Sequence, residues 1–149
     1  FWCSYMRVSG LLIIPLVFGH LALMHVVQGV FDLTAQGYSV VGTDMINESG
    51  TATEFVAHRW NYLFAGVAIW RLYDFGLLAL ASVHGFNGLR YVLTDYTMGS
   101  PLLRRASIYV CVIAVVILMI MGAGALLGTI NDTMIEMALE AQTKLRAGG

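Results

Sequence analysis

Apolar residues gather into three long runs separated by polar stretches. Gly10–Phe31, GLLIIPLVFGHLALMHVVQGVF, and Ala106–Ile130, ASIYVCVIAVVILMIMGAGALLGTI, contain no Asp, Glu, Lys or Arg. Each exceeds the roughly 20 residues that cross about 30 Å of lipid interior. The middle run, His58–Arg90, is interrupted by Arg71 and Asp74, and at about 1.5 Å per residue it is too long for one crossing. A span from Leu72 to Leu93 restores a plausible length, with Arg71 and Asp74 three apart on one helical face and able to pair. The pattern therefore predicts transmembrane helices over about 9–31, 72–93 and 105–130. Between and after them it predicts an exposed polar loop over 32–57, an interfacial segment over 58–71 and an amphipathic tail over 131–149. Trp60, Tyr62 and Trp70 suit the interfacial segment to the headgroup level, and Asn131 or Asp132 suits the tail as a helix cap. Pro101 breaks the chain between the second and third helices and opens the third.

Composition agrees with a single membrane domain. Of 149 residues 58% are hydrophobic and 11% charged, against about a quarter charged in soluble domains. A soluble bundle would leave the third helix with no polar face for water. Cys3 and Cys111 are isolated, so no disulfide or thiolate metal site is implied. There is no phosphate-binding glycine loop, no cleavable signal pattern and no basic stripe, which excludes nucleic acid as a partner. The abrupt start at FWCSY leaves room for residues upstream. Basic residues are balanced between the two sides, but the paired Arg104 and Arg105 at a tight helix end favour a cytoplasmic N-terminus and second connection.

Three of the histidines, His20, His25 and His84, fall in the apolar runs. An imidazole in hydrocarbon needs a partner, so it marks a candidate functional site. His84 is flanked by Ala79, Ala81, Ser82, Gly85 and Gly88, which thin the helix surface and let a second helix or a flat cofactor approach. Haem iron accepts an axial imidazole in such a setting, while a single interhelical hydrogen bond is the plainer role. His20, beside Gly19, is a second axial candidate, and His25 can meet a haem propionate or the interface. Counted from Arg7 and Arg90, His20 and His84 differ in depth by about 11 Å, so they do not oppose one another across one haem plane. His58, next to Arg59 at the water boundary, is expected to be solvated.

HGFNGLRYVLTDY, His84–Tyr96, resembles the haem-ligand and quinone-site segment of the membrane-anchor subunits of succinate dehydrogenase, the succinate:quinone oxidoreductase of respiratory complex II. The histidine, Gly88, Asp95 and Tyr96 keep the spacing of the smaller anchor. MRVSGLLIIPLVFGHLALMH is similar to the first helix of the same family: Arg7 and Ser9 match its Arg-Val-Ser-Gly run. The quinone-binding serine of that family falls at Cys3, with Ser4 beside it, a departure from its pattern. His20, Leu21 and His25 repeat the layout of members with two haems.

The resemblance implies an all-α membrane protein, three transmembrane helices forming half of a two-subunit haem-binding anchor bundle in the cell inner membrane. His84, and in a two-haem form His20, would ligate haem b iron. Arg90 would meet a propionate or a partner subunit, and Asp95 and Tyr96, with Arg7, would approach ubiquinone or menaquinone. The implied partners are a second anchor subunit, an iron–sulfur subunit and a flavoprotein subunit. No residue here oxidises succinate, so the chain would act only as part of that enzyme. The small-residue stretch MGAGALLG in the third helix suits packing against a second anchor. Other classes remain: a cytochrome b of fumarate reductase or another quinone-linked oxidoreductase, and a haem-free membrane scaffold.

Overall fold

The computed structural model of the chain describes residues 2–29 and 32–148. Most of them are helical: α1 (Trp2–Leu21), α2 (Ala52–Asn61), α3 (Ile69–Tyr96), α4 (Pro101–Leu127) and α5 (Asp132–Ala147). A π-helical turn over Ala22–Val27 continues α1, a 3-10 turn covers Asp32–Thr34, and β1 (Tyr38–Ser39) pairs antiparallel with β2 (Ile46–Asn47). Two helical stretches, Ser4–Val27 and Pro101–Leu127, are long and apolar enough to cross a membrane, which suggests membrane association. α3 has the length, but Arg71, Asp74, His84, Asn87 and Arg90 dilute its apolar run.

The first helix starts earlier than its apolar run, at Trp2, because nothing between Trp2 and Gly10 breaks a helix. Pro15 lies inside α1 and withholds an amide from the Leu11 carbonyl. The helix then widens, with Gln28 N–H bonding the Leu23 carbonyl at 3.0 Å, and Gly29 at φ +72° ends it. The expected end at Phe31 lies outside the described residues. α4 opens at Pro101 rather than near 105: Ser100 Oγ accepts from Leu103 N, and proline at the first helical position gives up an amide that has no helical partner there.

The chain forms two compact units. The first, Phe1–Val17 with Asp74–Leu127, joins most of α1 and α3 to α4. Inside it, a Cβ at Gly122 would lie 2.3 Å from Leu78 Cδ2, so this glycine lets α3 approach α4, whereas Gly124 has nothing within 4 Å. Part of the small-residue surface expected to receive a second subunit is thus filled by the chain's own Leu78. Elsewhere α4 shows large apolar side chains on its surface, and only Cys111 and Leu126 are buried.

The second unit, Phe18–Tyr73 with Gly128–Gly149, contains the segment expected as an open loop. It is ordered instead, and α2 starts within it. Thr51 Oγ1 accepts from Glu54 N at 3.1 Å, and the Glu54 carboxylate reaches back to Ser49 N, so a Thr-x-x-Glu signal starts the helix. Phe55 and Val40 are each 1% exposed, and α2 packs on α5, β2 and the 3-10 turn. α5 is capped as expected, Asn131 Oδ1 accepting from Met134 N at 3.1 Å, and Gln142 Nε2 donates to the Gly50 carbonyl. Trp70, expected at the headgroup level, packs within this unit: Arg59 lies 4.2 Å from its ring centroid, and its Nε1–H donates to the Gly42 carbonyl at 2.9 Å.

Candidate functional site

His84 projects from the middle of α3 toward α1. Its Nδ1 lies 2.8 Å from Ser9 Oγ, which is 2% exposed, and a Cβ at Gly10 would sit 3.1 Å from the ring's Cε1. Gly10 therefore leaves the space that the imidazole fills. The Arg-Val-Ser-Gly run of α1 supplies both features: the serine holds the ring and the glycine admits it.

Ser9 Oγ–H donates to the Met6 carbonyl at 3.3 Å. In the tautomer that carries its proton on Nδ1, the serine oxygen accepts from the imidazole and Nε2 carries the lone pair. Nε2 has no hydrogen-bond partner among the described residues. Nε2 lies 3.8 Å from where a Cβ at Gly10 would stand, so this edge of the ring faces α1. A neutral imidazole with Nδ1–H tied to an oxygen and Nε2 free is the state an axial metal ligand needs. The donor set, one imidazole nitrogen held by an oxygen and the other unpartnered, is chemically able to ligate iron.

Around His20, the wall is already occupied. Its ring stacks on Tyr73, centroids 6.4 Å apart at 12°, and a Cβ at Gly19 would come within 3.2 Å of the Tyr73 hydroxyl. The room that Gly19 leaves is taken by this tyrosine, so a porphyrin at His20 would have to displace it. His25 is exposed on the π-helical turn. His58, expected to be solvated, is instead half-buried and 3.1 Å from Glu54 Oε1.

Arg90 is not brought beside His84. Six residues along a helix turn the side chain through about 240°, and Arg90 lines a groove facing α4 while His84 meets α1. Its Nε and Nη2 donate to Asn87 Oδ1 at 3.2 and 3.1 Å. Asp95 and Tyr96 end α3, both exposed, with Tyr96 at 87%. Arg7 is exposed on α1, and no hydrogen bond or ion pair joins it to Asp95 or Tyr96 among the described residues.

Among titratable groups outside the long apolar helices, Glu54 stands out. Burial pushes its carboxyl up, but Ser49, through hydroxyl and amide, and His58, through hydrogen bond and charge, outweigh burial and hold it below its usual 4.5.

No family model matches this chain, and neither the curated proteins nor the solved structures contain one similar to it.

Proposed function

We propose that this chain is a haem b-binding membrane anchor of a succinate:quinone oxidoreductase. It crosses the bilayer of the cell inner membrane with α1, α3 and α4, its N-terminus and the α3–α4 connection facing the cytoplasm. It docks a second anchor, an iron–sulfur subunit and a flavoprotein subunit. The observation that carries the reading is the Met6–Ser9–His84 hydrogen-bond chain, which holds Nδ1 and leaves Nε2 without a partner between two apolar helices.

Haem b, when bound, would supply a one-electron store. The chain's own residues do the rest. His84 Nε2 would hold the haem iron, and Ser9 would orient the ring from its other nitrogen. At the water-facing end of α3, the Tyr96 hydroxyl donates to a quinone carbonyl oxygen, a donor aimed where negative charge develops. Asp95 beside it takes protons from water for delivery to the ring oxygens, and Arg7 favours the negative charge that develops on those oxygens before they are protonated. One haem at His84 is the form this reading supports, because Tyr73 fills the place beside His20.

A second reading rests on the same bond. Ser9 and His84 tie α1 to α3, and a haem-free scaffold would use them for nothing more. A reduced-minus-oxidised visible spectrum of the purified assembly decides between them. The wild type shows b-type bands, and His84→Ala abolishes them while the subunits still co-purify. Bands unchanged in the variant, or absent from the fully assembled wild type, refute the ligand assignment.

A further inference from the structure

On α3, Val83, Asn87 and Arg90 recur at helical spacing and share a face. Together with Ile108, Cys111 and Val115 of α4 they line a groove of about 380 Å³. The α4 wall runs from Ile108 to Val116, roughly 12 Å along the helix. That wall is hydrocarbon apart from one thiol, and the polar groups stand at one end.

At that end there is an excess of donors and one full positive charge. Asn87 Oδ1 is engaged by Arg90, yet Asn87 Nδ2 is buried with no partner. No carboxylate among the described residues pairs with Arg90. Arg90 lies six residues before the end of α3, about 9 Å along the axis, within reach of the boundary for a long, flexible stem.

An occupant matching this slot has a hydrocarbon tail, acceptor oxygens and a negative charge. We propose that the α3–α4 groove binds one anionic phospholipid, an acyl chain lying along Val83 and Val115 and the phosphate at Arg90 and Asn87. A guanidinium meets a phosphate with two parallel hydrogen bonds, and Asn87 Nδ2 gains its missing acceptor. A neutral quinone head offers acceptors but leaves the charge of Arg90 uncompensated. An apolar helix of a partner would leave Asn87 Nδ2 without an acceptor and bury the Arg90 charge with no anion beside it, which is costly. The inference rests on the membrane placement proposed for α3 and α4, and not on the haem.

Native mass spectrometry tests it on the full chain, purified with the subunits that accompany it and supplied with phosphatidylglycerol or phosphatidylcholine. The wild type retains one phosphatidylglycerol in preference to phosphatidylcholine. Arg90→Gln weakens phosphatidylglycerol retention about tenfold, the scale of a charge-assisted hydrogen bond, and leaves phosphatidylcholine unchanged. Arg90→Lys keeps most of the preference, and Val115→Trp, which closes the slot, lowers retention of both lipids. Should Val115→Trp fail to assemble, the Arg90→Gln and Arg90→Lys pair decides alone. Equal retention of both lipids by the wild type overturns the proposal, as does undiminished retention in Arg90→Gln, a quinone bound in place of lipid, or a groove closed to lipid by a partner helix. The visible spectrum of the same samples separates this inference from the haem reading. Haem-free protein that prefers phosphatidylglycerol refutes only the latter, and haem-loaded protein without the preference refutes only the former.

Discussion

Replacing Ser9 with alanine tests the positioning of His84 without touching the ligand itself. Ser9 is 2% exposed, and its Oγ lies 2.8 Å from Nδ1; in the tautomer that ligation of iron through Nε2 requires, it accepts the ring proton. Without it, the imidazole has two courses. It can keep Nδ1–H buried and unpaired, at about 1–3 kcal/mol, or move the proton to Nε2 and lose the lone pair that would bind iron. Either course weakens ligation, by the roughly 10- to 100-fold typical of losing a partner behind a metal-binding histidine. That corresponds to about 1.4–2.8 kcal/mol. As a tie between helices alone, the bond is worth less, about 0.6 kcal/mol on average for membrane proteins. The assay is an absorbance titration of haem into the apo-assembly for wild type, Ser9→Ala, His84→Ala and a control, Ser107→Ala, whose hydroxyl bonds only the Leu103 carbonyl of its own helix. We expect Ser9→Ala to bind 10- to 100-fold more weakly at unchanged helicity, with a raised midpoint potential because the ligand becomes less basic, and Ser107→Ala to match the wild type. Wild-type haem affinity and potential in Ser9→Ala would show that the serine does not position the ring and would sink the tautomer argument.

Further predictions concern the second unit. Gly42 has φ +81° at the third position of the turn closed by Thr43 N and the Val40 carbonyl, and a Cβ there would lie 2.2 Å from Trp70. Gly42→Ala combines left-handed strain with overpacking and should destabilise by about 2–5 kcal/mol, measured by thermal unfolding in detergent; a change below about 1 kcal/mol would contradict the placement of Trp70. Thr51→Ala removes the α2 cap and should cost about 1 kcal/mol in the same measurement, with Thr51→Ser close to neutral. Because the Glu54 carboxyl is depressed in the folded chain, its stabilising effect is complete above its usual 4.5 and is lost as pH falls through the lower folded value. Acid unfolding should therefore show a proton uptake between those values that Glu54→Gln abolishes; the same acid profile in both proteins would rule this contribution out.

Helix and boundary were legible wherever a single residue type decides them. The uncharged runs in α1 and α4, Pro101 at the start of α4 and Asn131 at the start of α5 act through local chemistry, hydrocarbon length or a missing or supplied hydrogen bond. Polar residues between 32 and 57 read as loop, because their order comes from partners distant in sequence: Asn47 Nδ2 on the Leu33 carbonyl, Gln28 Oε1 on Val41 N and Gln142 on Gly50. The Thr51–Glu54 signal was local and readable all the same.

For the histidines, sequence alone established that imidazoles stand in apolar helices and that small residues surround them. It could not assign which space those small residues serve. Gly10 makes room for His84, Gly19 for Tyr73 and Gly122 for Leu78, and only packing between helices decides such pairings. Likewise the nitrogen by which His84 is held follows from Ser9, 75 positions away. Tautomer and ring direction are properties of a contact between helices, and a linear pattern of residue types does not contain that contact.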